Sequence, residues 1–334
     1  MGLFSKKKEK EAGDALWMKC EKCESQIYIK KWKKNHNVCP ECDWHYRIDT
    51  PTRIKQILDA DSFQELFADL ESIDILNFKA KKSYKDKLTK AVKDAGRKDS
   101  ATFGIARIGG IECVFGVIDP TFIMGSMGSV CGEKIARAAE VALERKIPLI
   151  IVSGSGGGAR MEEGVNSLMQ MVKVSAAIGK LQDAGGLYIV VQTNATMGGS
   201  MASFATLGDV ILAEPMALLG FTGPRVIKLT IKKELPPGFQ TSEFLVKHGF
   251  IDEVVHRTKL RDKLVQVMKM LTVKTDREKQ LEKGEDGGIE YETSELIAHR
   301  NFLEEQNAEE DDILKSPAQV AADIQNRTAS SDSN

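Results

Sequence analysis

Ser153-Gly154-Ser155-Gly156-Gly157-Gly158-Ala159-Arg160 is the stretch on which the reading of this chain turns. Ahead of it, Pro148-Leu149-Ile150-Ile151-Val152 reads as a buried strand; behind it, Met161 to Met171 reads as a helix. A strand, a glycine turn and a helix start in succession aim peptide N–H groups, which have no helical partner there, at a negatively charged atom. A second version, Thr196-Met197-Gly198-Gly199-Ser200, follows the apolar run Leu187-Tyr188-Ile189-Val190-Val191. Two such turns, with few acids or bases beside them, point to chemistry that stabilises an oxyanion.

Each turn has other readings. An isolated Gly-Gly pair most often marks a tight turn needing positive φ. A phosphate loop requires a Rossmann or P-loop pattern. Gly154-Ser155-Gly156 supplies Gly-x-Gly, but no Gly-Lys-Ser/Thr follows and no suitably placed acidic residue closes a following strand. An oxyanion hole of backbone N–H groups needs two converging donors, each worth about 10²–10³ in rate. Gly157 and Gly158 in the first turn, with Gly198 and Gly199 in the second, are the candidates. Arg160 is a candidate substrate contact that would anchor a carboxylate; otherwise it fixes the turn by pairing with Glu162 or Glu163. The histidines are His36, His45, His248, His256 and His299, of which His248 precedes Gly249 as a helix cap would. No Gly-x-Ser-x-Gly elbow and no His-Glu-x-x-His motif is present. Catalysis here therefore lacks a protein proton carrier and favours a reaction whose cofactor is the base.

Around the turns the texture is α/β. Ala101 to Ile108 and Glu112 to Ile118 pair as strands about Gly109-Gly110, and Met124-Gly125-Ser126-Met127-Gly128-Ser129-Val130 leads into a helix from Glu133 to Arg145. Strands over 148–152 and 187–193 alternate with a helix over 160–182 and another from Gly199. Short strands at Asp209 to Ala213, Met216 to Leu219 and Ile251 to Val255, and helices at Ser242 to His248 and Lys259 to Leu271, complete the region. Because several strands are short and paired, the pattern predicts ββα turns stacked as a spiral, without the long single sheet of a doubly wound fold. Upstream, Ile54, Ile57 and Leu58 share one helical face; Phe63, Leu66 and Phe67 share a second, with Asp61-Ser62 as its cap.

Four cysteines are spaced Cys20-x2-Cys23-x15-Cys39-x2-Cys42, which predicts a zinc ribbon: two tight turns deliver four thiolates to one tetrahedral ion. Cys113 and Cys131 read as small buried apolar residues. The expected division is a flexible start over 1–15, the ribbon over 16–50, an α/β domain over 51–275 and an acidic, disordered tail over 276–334. The formal net charge of −1 hides a segregation, since 276–334 hold 16 Asp or Glu against 6 Lys or Arg. The remainder is basic, most densely at Lys30-Lys31-Trp32-Lys33-Lys34 and from Lys79 to Lys85, and reads either as solvated surface or as an attraction for an anionic ligand or partner. No run approaches the ~20 apolar residues of a membrane span, and the start lacks the apolar core of a secretion signal. A cytoplasmic protein without membrane contact is the expectation.

Further motifs carry a resemblance. Trp17-Met18-Lys19-Cys20, Lys85-Asp86-Lys87-Leu88, Gly157-Gly158-Ala159-Arg160-Met161, Ser167-Leu168-Met169-Gln170-Met171 and Thr196-Met197-Gly198-Gly199 are among them. So are Ala213-Glu214-Pro215, Gly220-Phe221-Thr222-Gly223-Pro224-Arg225-Val226-Ile227 and Leu235-Pro236-Pro237-Gly238-Phe239-Gln240. Over residues 15–272 the chain resembles the beta subunits of the bacterial multi-subunit acetyl-CoA carboxylase carboxyltransferase. The resemblance implies a crotonase-like spiral of ββα units behind the zinc ribbon. It implies transfer of a carboxyl group from carboxybiotin, on a separate biotin carboxyl carrier protein, to acetyl-CoA, giving malonyl-CoA for fatty acid synthesis. It further implies an alpha subunit completing the site in an α2β2 assembly, biotin carboxylase in the wider complex, and ATP binding. Such families use biotin's ureido nitrogen as the base, which agrees with the missing histidine.

Two departures from the family pattern stand out. Three glycines, Gly156-Gly157-Gly158, precede Ala159 where the family has two, which lengthens the first turn; Ser200-Met201 makes the second more crowded. A free-standing crotonase-like hydratase or thioesterase would need Glu162 or Glu163 as its acid or base. A nucleic-acid-binding ribbon would use Lys30, Lys31, Trp32, Lys33 and Lys34.

Overall fold

The computed structural model describes residues 16–272 apart from Lys233; the flexible start and acidic tail expected from the sequence lie outside the described residues. Strands β1 (Trp17–Lys19) and β2 (Gln26–Tyr28) form an antiparallel hairpin, followed by α1 (Ile29–Lys34). Then come α2 (Thr50–Ile57), β3 (Gln64–Leu66), α3 (Tyr84–Ala95), β4 (Ala101–Ile108), β5 (Ile111–Ile118) and α4 (Ser129–Arg145). Strand β6 (Leu149–Ser153), α5 (Val165–Asp183), β7 (Tyr188–Gln192), β8 (Thr196–Met197), β9 (Val210–Ala213) and β10 (Leu219–Gly220) follow. The chain continues through α6 (Pro224–Ile231), α7 (Ser242–Lys247), β11 (Glu253–Val254) and α8 (Arg257–Thr272).

The strands give one correction to the sequence reading. Instead of short separate pairs, seven of them join one sheet in the order β11-β9-β7-β6-β5-β4-β3, with β8 and β10 paired apart from it. The β3-β4-β5 end is antiparallel and the rest parallel. Period-two alternation explains why this sheet is buried on both faces. In β6, Leu149 and Ile151 join the core under α4 and α5, whereas Ile150 and Val152 join the core under α2 and α8. Each such side chain taken from water contributes about 1.5–3 kcal/mol. Cys113 and Cys131 are buried in these cores, as read from the sequence.

Two expected helices are absent. Around Phe63 and Leu66 the chain is an edge strand against β4, because Gly104 leaves it room: a Cβ there would stand 2.5 Å from Gln64 O and from the Phe63 ring. Beyond Gly199 the backbone forms turns and one 3-10 turn, Phe204–Thr206. There the Ser203 hydroxyl donates to Gly199 O at 2.7 Å, a local bond that competes with helix formation.

The hairpin region is tied to the sheet by buried charge. Glu214, after β9, accepts from Arg53 of α2 at 2.5 Å and from Arg257 of α8 at 2.7 and 2.6 Å, and all three are buried. Arg257 also donates to Asn37 O at 3.4 Å, to His36 O at 3.2 Å and to Tyr46 O at 2.8 Å, and its N–H donates to His45 Nε2 at 3.2 Å. Burial lowers His45 to about 4, so the ring stays neutral and can accept that bond. Burial alone would raise Glu214, but Arg257 and Arg53 together hold it well below the usual carboxylate range.

Both groups bind fewer protons folded than unfolded, so stability rises with pH. His45 contributes fully above its unfolded value of 6.5, and Glu214 above 4.5. The melting midpoint is therefore expected to fall as the pH drops from 7 to 5, and again below 4.5, in thermal scans across pH 3–8. Glu214→Gln leaves two buried guanidinium groups short of a counter-charge. It should remove about 3–5 kcal/mol in denaturant unfolding at pH 7.

Candidate functional site

The two glycine turns meet. The first turn leaves β6 and the second follows β8. A Cβ on Gly198 would lie 3.0 Å from Gly158 Cα, and one on Gly158 would lie 3.3 Å from Gly199 N. Both Gly158 and Gly198 have φ near +60°, a conformation that suits glycine. Behind them the hydroxyls of Ser155 and Ser200 lie 2.5 Å apart, joining the turns a second time. Together they line a cavity of about 370 Å³ whose other walls include Met124, Ala195, Leu218 and Phe221.

Accounting for each N–H separates the four candidate donors. Gly157 N–H donates to Met124 O at 2.9 Å, and Gly198 N–H to Gly220 O and Phe221 O, both at 3.0 Å. These two serve as close-packed backbone and not as free donors, which corrects the expectation for them. Among the described residues, the N–H groups of Gly158 and Gly199 reach no protein acceptor. Each turn thus keeps one unengaged N–H, Gly158 in the cavity lining and Gly199 beside it.

Arg160 fixes the first turn. Its side chain is withdrawn from solvent and forms ion pairs with Asp99 at 3.2 Å and Glu163 at 3.1 Å. It also donates to Ser72 Oγ at 2.8 Å, Tyr84 Oη at 3.1 Å and Ser126 O at 2.9 Å. Saturated in this way, Arg160 is a brace, and the expected substrate contact gives way to the turn-fixing alternative. Gly128 makes room for it, since a Cβ there would stand 2.7 Å from Arg160 Nη1.

Glu163 carries the brace to the next helix. Its Oε2 accepts from both the N–H and the hydroxyl of Ser129, at 2.6 Å each, at the α4 start. Burial would raise Glu163, but Ser129, Tyr84 and Arg160 hold it below its ordinary value. Glu162 pairs with Lys87 at 2.5 Å. Neither glutamate is a free acid or base, which weakens the hydratase reading. His248 caps α7, its Nδ1 lying 2.7 Å from Phe244 O, as expected.

Sequence reasoning missed Arg47, which lies beyond the last cysteine of the ribbon yet lines the glycine cavity. It missed Asp99, Tyr84 and Ser126 as well, because their common partner is visible only in three dimensions.

The four ribbon cysteines converge. Their sulfurs lie within 4.8 Å of one another, with Cys20–Cys42 at 3.8 Å and Cys23–Cys39 at 3.9 Å. A tetrahedron with metal–sulfur bonds of about 2.3 Å has edges of about 3.8 Å, so the set fits a metal ion and the gaps are too wide for disulfides. The halves are alike: Glu24 N–H donates to Cys20 O and Asp43 N–H to Cys39 O, each at 3.0 Å. Likewise the N–H groups of Lys22 and Glu41 reach Cys20 Sγ and Cys39 Sγ at 3.4 Å.

Comparison with known proteins turns the geometry into an assignment. A carboxyl transferase domain profile matches residues 52–236. An acetyl-coenzyme A carboxylase carboxyl transferase subunit beta of Desulforamulus reducens is 50% identical over 257 residues, covering 77% of this chain and 88% of that one. The chain belongs to this carboxyl transferase subunit beta family. A 51% identical relative from Clostridium tetani is named subunits beta/alpha; this chain spans only 44% of its length.

Solved structures with the same fold include transcarboxylase 12S, with a TM-score of 0.56 and 22% identity over 72% of this chain and 42% of that one. A Pseudomonas malonate decarboxylase MdcD-MdcE heterodimer gives 0.52 and 22% over 71% and 92%. These neighbours bear out the crotonase-like fold expected from the resemblance. The relatives' names lend no support to ATP binding. Among the described residues, no helix is long and apolar enough to cross a membrane.

Cys39→Ser should empty the metal centre, so elemental analysis of the purified variant should find metal near zero where the wild type holds about one ion per chain. Because a ribbon this small has little core of its own, amide exchange should rise over 17–46 while the sheet stays protected.

Proposed function

We propose that this chain is the half of an acetyl-CoA carboxylase carboxyltransferase that polarises the acyl substrate, and that malonyl-CoA is the product. One observation carries the reading: two unengaged peptide N–H groups on touching turns, Gly158 in the cavity lining and Gly199 beside it, with no histidine or carboxylate lining that cavity among the described residues. Such donors hold the thioester oxygen as it gains charge, which favours loss of a methyl proton and attack of the resulting carbanion on a carboxyl group. Biotin, on a separate carrier protein, would supply that carboxyl group and the base when bound. The chain's own part is to fix the donors, exclude water and hold the thioester. The four thiolates suit zinc over harder cations, and the proposed division is a ribbon over 16–50 on a carboxyltransferase domain over 51–275.

The partner follows from the surface. On α5, Val165, Leu168, Met169 and Val172 are each at least half exposed and share one helical face just beyond the first turn. A contiguous apolar stripe of this kind marks a protein interface. We assign it to the alpha subunit of an α2β2 assembly, standing beside the cavity, with carrier protein and biotin carboxylase joining in the wider complex. The cytoplasm is the compartment that fits this role.

Co-expression with an alpha-type subunit should give a complex that makes malonyl-CoA from acetyl-CoA and carboxybiotin, while the chain alone does not. Inactivity of the metal-loaded complex, or enoyl-CoA hydration by the single chain, would overturn the reading.

Gly158→Ala places a Cβ against Gly199 N in a left-handed conformation that disfavours alanine by about 1–2 kcal/mol. Turnover by the complex should fall about 100-fold or more while the melting midpoint moves only modestly. Near-normal kcat would remove Gly158 from the donor pair.

A further inference from the structure

Arg47 is the one charged side chain lining the glycine cavity among the described residues. Its Nε donates to Asn194 O at 3.2 Å, on the segment leading into the second turn. Arg47 is exposed, and among the described residues its two Nη groups reach no protein acceptor. The backbone on either side is anchored. Upstream, Tyr46 O accepts from Arg257 at 2.8 Å and His45 Nε2 accepts from Arg257 N–H at 3.2 Å. Downstream, the Thr50 N–H and hydroxyl both donate to buried Asp119 at 2.8 Å. An exposed arginine on a freely moving loop would carry little meaning. This one is carried on a fixed strap, at the rim of a cavity whose base holds only neutral donors.

We infer that Arg47 is the anion-recognition residue of this cavity, binding a phosphate or carboxylate group of the thioester through its two free Nη groups. The inference rests on the carboxyltransferase reading above. A planar guanidinium with one edge already fixed offers the other in the fork geometry that phosphate and carboxylate oxygens accept. The backbone donors at the base can orient a carbonyl but cannot distinguish a charged thioester from an uncharged one. A cation at the rim can.

The test uses the complex assembled with its partner subunit and four thioesters: acetyl-CoA, malonyl-CoA, acetyl-pantetheine and malonyl-pantetheine. Binding is measured by calorimetry, so the outcome does not depend on turnover, and kcat and KM are measured alongside. Arg47→Ala should weaken binding of charged esters about tenfold, with kcat nearly unchanged, and Arg47→Lys should recover part of the loss. A loss for both CoA esters that spares both pantetheine esters assigns Arg47 to the phosphates. A loss confined to the two malonyl esters assigns it to the carboxylate. Unchanged affinities, or an equal loss that includes uncharged acetyl-pantetheine, would overturn the inference. Failure of the wild-type complex to form malonyl-CoA, with charged esters still selected through Arg47, would sink the carboxyltransferase reading alone.

Discussion

Gly158 and Gly198 touch through their backbones, and that contact is the constraint around which the site is built. Side chains normally keep two peptide segments apart; here a Cβ on Gly198 would stand only 3.0 Å from Gly158 Cα. The approach sets the unengaged N–H of Gly199 beside Gly158 in the cavity lining, which neither turn could do alone. Both positions also sit near φ +60°, a conformation that glycine adopts without steric cost. The Ser155–Ser200 hydroxyl pair gives the same approach a polar link behind the cavity.

Two buried ionic clusters hold this contact, and neither faces the cavity. Arg160, with Asp99 and Glu163, pins the first turn to the α4 start and to the loop before β4. Glu214, with Arg53 and Arg257, pins the end of β9 to α2, α8 and the ribbon. The ribbon is thereby part of the site's frame: the segment that carries Arg47 to the cavity rim is held through Arg257 and Asp119. Long-range charge pairing thus does for the ribbon what its small hydrophobic cluster around Ile27 and Trp32 could not do by itself.

How much of this was legible in the sequence depended on the range of the interactions. Ala101–Ile108 was readable to the residue because its alternation and the Gly109-Gly110 turn are local. The four cysteines were readable because metal geometry fixes their spacing. Phe63, Leu66 and Phe67 misled because spacing of that kind suits a helix, and the deciding feature, Gly104, lies far along the chain. The single sheet was missed for a related reason, since short strands reveal nothing of their non-sequential neighbours. At the site, motif reading located both turns but could not tell engaged N–H groups from free ones, because the acceptors Met124 O and Gly220 O belong to other loops. Arg160 was noticed and its role left open, as an arginine beside glutamates looks the same whether it is buried or waiting for substrate.

That buried arginine bears on what the cluster is for. Replacing a buried ion pair by apolar side chains of similar volume is often neutral or stabilising, so stability alone does not explain Asp99, Arg160 and Glu163. An apolar cluster packs equally well in several arrangements, whereas a guanidinium between two carboxylates, a phenol and two serines has one. An oxyanion hole works only if its donors are in place before charge develops and do not relax when it does. Backbone donors cannot be tuned by side-chain choice, and they can be fixed only by fixing the turn that bears them. The ionic brace fixes the first turn from outside the cavity, where Arg47 is the one charged lining side chain among the described residues.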